Sequence, residues 1–119
     1  MRYLALDIGS RRTGVAYAES DMGIPFPLET IQHTSLEELE QEVHRLLQDR
    51  SVDRVIIGLP LLPSGEEGEQ VEYVRSFLPF LEGIPYELVD ERYTTPKGQN
   101  GDGDSHAACQ ILSVILDRQ

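Results

Sequence analysis

Acidic residues stand at three places where a chain can do chemistry. Asp7 closes the apolar run RYLALDI, Asp90 and Glu91 close IPYELVDER just before Arg92, and Asp104 opens DSHAACQILSVILD. Each has an ordinary structural use: a turn-forming aspartate beside Gly9, a solvated strand end with a surface ion pair, a helix N-cap. Together they place carboxylates at three element ends of one small sheet. Positions 104, 108, 111 and 115 follow helical spacing, which puts Asp104 on the helix face that carries Ala108, Ile111 and Ile115. Carboxylates crowded without lysines among them repel unless a hard cation lies between them. Mg²⁺ is held by a few carboxylates with waters and substrate phosphates. Two such ions about 3.5–4 Å apart activate water and stabilise the leaving oxygen in phosphodiester hydrolysis. Asp7, Glu91 and Asp104 are thus the candidate metal ligands and catalytic acids. Arg11, Arg12 and Arg92 lie beside them and are candidates for holding phosphate, with plain surface charge as the alternative. Cys109 reads as a core thiol, His33 and His44 as surface residues, and His106 points to a different helix face from Asp104.

The elements that must position these residues follow from pattern. RYLALDI and TGVAYAES read as two strands joined by a tight reversal at GSRR, with Gly9 free to take positive φ. FPLETIQ reads as a third strand whose prolines suit a sheet edge or a strand start. SLEELEQEVHRLLQD carries a capping-box pair, Ser35 and Glu38, ahead of an apolar stripe, so it reads as a helix. VDRVIIGLP is a buried strand running into a loop, and GEQVEYVRSFLPFLE a second amphipathic helix that Pro79 distorts near its end. IPYELVDER is a last strand and DSHAACQILSVILD a closing helix. The order β-β-β-α-β-α-β-α predicts an antiparallel meander followed by parallel crossovers, hence an α/β fold: a mixed five-stranded sheet with helices on both faces. The first strand is expected between the second and fourth, with Asp7 and Glu91 on neighbouring strands.

Composition bounds the function. The chain has 119 residues, 39% of them hydrophobic, which suits one domain over residues 1–119 with one core. It has no run of about 20 apolar residues such as a membrane span needs. It has no signal-peptide pattern, and its single cysteine cannot form an internal disulfide, so the expected compartment is the cytoplasm. The formal net charge of −11 argues against a general nucleic-acid coat but leaves room for a local basic site. Monomer and weak dimer are both compatible with the sequence.

Four ordered motifs, LALDIGSRRTGVAYAESD, VIIGLPLLPSGEEGEQVEYVRSF, VDERYTT and DSHAACQILSVILD, resemble the YqgF (RuvX) family over nearly the whole chain. The resemblance implies an RNase H-like fold related to the RuvC resolvases and a metal-dependent nuclease using Mg²⁺ or Mn²⁺. Members are described as nucleases maturing the 5′ end of pre-16S ribosomal RNA, or as Holliday junction resolvases. The implied partner is therefore nucleic acid, either pre-ribosomal RNA or branched DNA. Carried over residue by residue, the implied acids are Asp7, Glu91 (with Asp90 its neighbour) and Asp104. Many RNase H-like enzymes end the fourth strand in a carboxylate. Here Gly58 stands at that place, as in this family, so the D-E-R motif must supply the second acid.

Two rivals stand beside this reading. The strand-turn-strand opening also looks like the phosphate loop of sugar kinases and actin-like ATPases, but those need two such domains and an adenosine-binding glycine motif. A non-catalytic nucleic-acid or ribosome-binding module is the other. It gains from the segment TTPKGQNGDGDSHAA, which is shorter than the family usually carries and supplies one positive charge between Thr95 and Asp104. Lys97 to Gly103 is expected to be the most mobile part of the chain.

Overall fold

A computed structural model describes residues 1–91 and 103–118, with side chains from residue 105 onward in the second stretch. Arg92, Thr94, Thr95 and most of the Lys97–Gly103 segment lie outside the described residues, as does the side chain of Asp104. The sheet is built from β1 (Arg2–Ile8), β2 (Arg12–Glu19), β3 (Phe26–Pro27), β4 (Ile31–Gln32), β5 (Arg54–Leu59) and β6 (Tyr86–Asp90). Its order is β3-β2-β1-β5-β6, with β4 also paired to β2. The helices are α1 (Leu36–Asp49), α2 (Glu69–Arg75) and α3 (Gly103–Leu116), with a 3₁₀ turn at Leu78–Leu81.

β1 and β2 pair antiparallel from Arg2↔Glu19 to Ile8↔Thr13. β5 runs parallel to both β1 and β6. The sheet is thus mixed, with β1 between the second strand and the later parallel ones. The expected third strand is broken. Phe26–Pro27 and Ile31–Gln32 each pair for two residues with β2, giving six strands rather than five. The break is bridged from elsewhere. The Leu28 N–H donates to the Val15 carbonyl, and the Val15 N–H, on the same edge of β2, donates to Ser105 Oγ at 3.3 Å.

Both faces of the sheet are covered, which is why its central strands read as nearly continuous apolar runs. On one face Leu4, Leu6 and Ile8 of β1 pack with Val55 and Ile57 of β5 and with Leu39, Val43, Val71, Val74 and Phe77 from the α1 and α2 side. On the other face Tyr3, Ala5, Ala16, Ala18, Ile56 and Val89 meet Ala108, Ile111, Leu112 and Ile115 of α3. The small side chains there, with Ala5 directly opposite Ala16, give α3 a shallow bed.

Local chemistry sets the ends of the elements. Ser35 Oγ accepts from the Glu38 N–H at 3.1 Å at the start of α1, and Glu38 reaches back to the N–H and hydroxyl of Thr34. The second amphipathic segment is α-helical only to Arg75. Pro79 has no N–H to give to Arg75, and the chain tightens into the 3₁₀ turn, where the Phe80 N–H donates to the Phe77 carbonyl. Gly9 does not use the positive φ that is open to it. Its need is space, since a Cβ there would lie 2.5 Å from the Arg12 carbonyl oxygen.

His33 is buried, not on the surface as its sequence context suggests, and shares a 2.8 Å hydrogen bond between its Nε2 and Thr13 Oγ1. Its backbone N–H donates to the Arg11 carbonyl, which carries the β4 edge past Gln32 and draws the ring inward. Burial holds the imidazole below its ordinary pKa. Thr13→Val, nearly isosteric, strands that ring nitrogen and is expected to cost about 1–3 kcal/mol of stability. Denaturant unfolding measures this, and an unchanged midpoint would show the bond to be dispensable. His44 is half-buried with its ring nitrogen 3.2 Å from the Phe80 carbonyl, and Cys109 packs against the α3 core, where burial raises its thiol pKa.

Candidate functional site

The α3 face of β1 carries Tyr3, Ala5 and then Asp7, by strand alternation. Asp7 is the one charged residue of β1 beyond its first position, and it is half-buried. It sits opposite Gly14, the least bulky position of β2. Leu6 pairs with Ile57, so the next step along the parallel ladder brings Asp7 alongside Gly58.

Glu91 follows β6 directly. β6 pairs with β5 and not with β1, so Asp7 and Glu91 are not on neighbouring strands as expected. Their side chains nevertheless meet. The Glu91 carboxyl hydrogen-bonds Asp7, and its stem crosses the bare backbone of Gly58, where a Cβ would lie 2.7 Å from Glu91 Cγ. Asp90, by alternation, falls with Leu88 on the opposite face, and Leu88 packs against the α1–α2 core.

Electrostatics follow from that geometry. Burial, the hydrogen bond to Asp7 and the charges of Asp7 and Asp90 together push Glu91 from the ordinary glutamate value of 4.5 to about 9. Among the described residues, the charged groups that raise it are Asp7 and Asp90, both acidic. At neutral pH Glu91 is therefore protonated where it meets Asp7, as a buried carboxyl beside like charge is. Two hard oxygen donors in contact suit a divalent cation in place of that proton. Among the described residues no three Asp, Glu, His or Cys side chains cluster as a metal-binding set.

Asp104 lies at the start of α3, and the residue after it fixes where that helix begins. Ser105 is fully buried. Its Oγ accepts from the Val15 N–H, donates to the Leu28 carbonyl at 2.6 Å and lies 3.1 Å from Thr30 Oγ1. α3 thus starts over the outer edge of β2 and reaches β5 at Ile111, whose Cδ1 lies 2.5 Å from the place of a Gly58 Cβ. Sequence reasoning passed over Ser105; its only signal was a small polar residue in the first turn of an apolar helix.

Arg11 and Arg12 are exposed at the β1–β2 turn, two steps and more beyond the end of the acid-bearing strand. They open onto a groove of about 890 Å³ whose walls include Ser10, Gln32, Thr34 and Gln70. Asp7 and Glu91 do not line that groove. The acids face α3, and the arginines lie at the same end of the sheet near the start of α1.

A sequence-family model described as "RuvX: Holliday junction resolvase" matches residues 1–118. The chain belongs to the RuvX family. A RuvX relative from Chloroflexus aurantiacus, named "Putative pre-16S rRNA nuclease", is 44% identical over 95 residues, which cover 77% of this chain and 62% of the relative. One of the same name from Anaeromyxobacter sp. (strain Fw109-5) is 33% identical over 133 aligned positions, covering 98% of this chain and 97% of the relative. Those positions outnumber the 119 residues here, so that relative carries residues this RuvX chain lacks. The chain spans about 62% of the length of the Chloroflexus relatives. Among solved structures, Thermus thermophilus RuvC in complex with a Holliday junction substrate superposes with a TM-score of 0.68 at 10% identity, covering 99% of this chain and 94% of that one. The fowlpox virus Holliday junction resolvase does so with a TM-score of 0.59 at 11% identity, each chain fully covered. At such identities the likeness is one of fold, and it is the RNase H-like resolvase fold expected from the sequence motifs.

Proposed function

We propose that this RuvX chain is a divalent-metal-dependent nuclease that hydrolyses phosphodiester bonds, with Asp7 and Glu91 as metal-holding acids and Asp104 as the third. The observation that carries this reading is the acid pair itself: two carboxyl groups in contact, on a buried face, acted on by acidic neighbours. Such a pair weakens the metal-free fold, and a cation relieves that strain.

Mg²⁺ or Mn²⁺ bound there supplies Lewis-acid activation of water and neutralises charge on the phosphate. The protein's own part is positional. Asp7 comes from the end of β1 and Glu91 from the end of β6, and β5 holds them at a fixed separation. With a cation held there Glu91 would be unprotonated, so both carboxyl groups would be ionised only in the loaded site. Arg11 and Arg12, at the same end of the sheet, hold substrate phosphates, and the groove beside them takes the chain that leaves the cut. Arg92 is proposed for the same task on the strength of its place in the D-E-R motif.

Pre-16S ribosomal RNA is the substrate that fits best, because the relatives described above carry the name "Putative pre-16S rRNA nuclease". A branched DNA junction is the second reading, and the family description favours it. A cytoplasmic site of action follows from either substrate; no helix of the described residues is long and apolar enough to cross a membrane.

The test compares cleavage of a 5′-extended 16S RNA precursor with cleavage of a four-way DNA junction by the purified protein, with and without a chelator. Expected is cleavage of the RNA that needs no nucleoside triphosphate, stops on chelation and returns with Mg²⁺ or Mn²⁺. Cleavage of the junction alone would reverse the substrate assignment. Binding without cleavage of either would favour a non-catalytic module.

A further inference from the structure

We propose that Gly58 is the positioning residue that creates the acid pair: because it carries no side chain, Glu91 can reach over the intervening strand β5 to Asp7. Its bearing on catalysis rests on the nuclease reading above; the geometric claim stands without it.

Glycine in a strand interior weakens the strand and calls for a reason. Gly58 follows three β-branched residues, Val55, Ile56 and Ile57, and pairs with Val89 across the parallel ladder to β6. Backbone conformation is not the reason, since Gly58 is not among the glycines with positive φ. Space is. A Cβ built at residue 58 would lie 2.5 Å from Ile111 Cδ1, 2.7 Å from Glu91 Cγ and 2.8 Å from Glu91 Cδ. All three are closer than real Cβ contacts allow, so something must move.

The two neighbours differ in what that movement does. Ile111 Cδ1 is the free end of an apolar side chain, and shifting it disturbs only the packing of α3. Glu91 Cγ and Cδ are the stem and carboxyl carbon of the acid itself, and shifting them withdraws the carboxyl from Asp7. A methyl group at position 58 is therefore a lever on the pair with no charge and no polar atom of its own.

The experiment compares Gly58→Ala, Ile111→Ala and the double variant Gly58→Ala/Ile111→Ala. In the double variant the added methyl occupies room that the isoleucine has vacated. Expected is a Tm lowered by Gly58→Ala and partly restored in the double variant, with no restoration of the pair. Crystal structures of the metal-free proteins should show Glu91 withdrawn from Asp7 in the double variant and hydrogen-bonded to it in Ile111→Ala. Mn²⁺ affinity, followed by water-proton relaxation, should be about 10- to 100-fold weaker in the double variant than in Ile111→Ala, the usual effect of disturbing a ligand's support. A purely structural glycine would lower Tm without this split. Adding Gly58→Ala to Ile111→Ala/Glu91→Ala protein should cost little further Tm, because the second obstacle is gone.

An intact Glu91–Asp7 hydrogen bond in the double variant would overturn the proposal. So would an equal Tm penalty with and without the Glu91 side chain. If the parent protein does not bind Mn²⁺, the metal-centre reading fails, while the crystal structures and the Tm comparison still decide the role of Gly58.

Discussion

Asp7→Asn protein is expected to fold, to lose divalent-cation binding and to lose cleavage by about a hundredfold or more, since the charge stabilisation a bound cation supplies is worth several kcal/mol and each 1.4 kcal/mol is a factor of ten. The substitution keeps the shape of the side chain and removes its charge. Asp7 lies on the face packed by α3, where its carboxylate meets Glu91. Removing that negative charge eases the ionisation of Glu91, so the metal-free variant should be at least as stable as the parent at pH 8. Calorimetric metal titration, a cleavage time course and thermal unfolding on the same preparation check the three parts. Full activity in a folded Asp7→Asn protein would remove Asp7 from the metal centre. Inactivity with a lowered Tm would point instead to a structural aspartate.

The second large effect is a proton exchanged for a cation at Glu91. Its pKa in the folded, metal-free protein is raised to about 9 from 4.5. Between those values the native state binds a proton that the unfolded state has released. Stability of the metal-free protein therefore falls as pH rises through this window, with a slope from this group approaching about 1.4 kcal/mol per pH unit. Glu91→Gln removes the titrating group and should flatten the profile by that amount, so the variant gains on the parent most at pH 8–9. Saturating Mg²⁺ should flatten the parent's profile too, because the loaded site holds the carboxylate. The same linkage makes metal binding release about one proton near neutral pH and strengthens apparent affinity by up to about tenfold per pH unit below the pKa. Chemical unfolding from pH 5 to 9 tests the stability slope, and titration calorimetry in buffers of different ionisation enthalpy counts the proton. A parent and a Glu91→Gln protein with parallel profiles would show that Glu91 titrates normally.

Much of the architecture was legible in the one-dimensional pattern because its signals are local. The capping box at Ser35 and Glu38, the β-branched run ending at Gly58 and the apolar run of β1 each depend on a few adjacent residues, and each element formed where it was read. The crossovers followed from element order, since parallel neighbours need a long connection such as a helix and the later strands are separated by helices. Asp7 stood out because a charge at the end of an apolar strand has few local uses.

What depended on non-local pairing was misjudged in identifiable ways. The FPLETIQ segment carries strand-like residues throughout, but only two pairs at each end align with β2, and the gap is bridged by Ser105 from the far end of the chain. His33 lies in a polar stretch and gives no local sign of burial; the Thr13 hydroxyl that accommodates it is 20 residues away. Gly9 was free to take positive φ, yet the neighbouring carbonyl of Arg12 is what excludes a side chain.

The acid pair shows the division most clearly. Residue types and motif order named Asp7 and Glu91 as partners, because carboxylates at strand ends in a small sheet have few other reasons to gather. They could not say how the two would touch. That was decided by the tertiary structure, in which β5 separates the two strands and only the missing side chain of Gly58 leaves a path across it. The choice of Glu91 over Asp90 has the same origin: one step along a strand turns a side chain to the opposite face, and which face α3 would cover is settled only when the helix docks through Ser105 and Ile111.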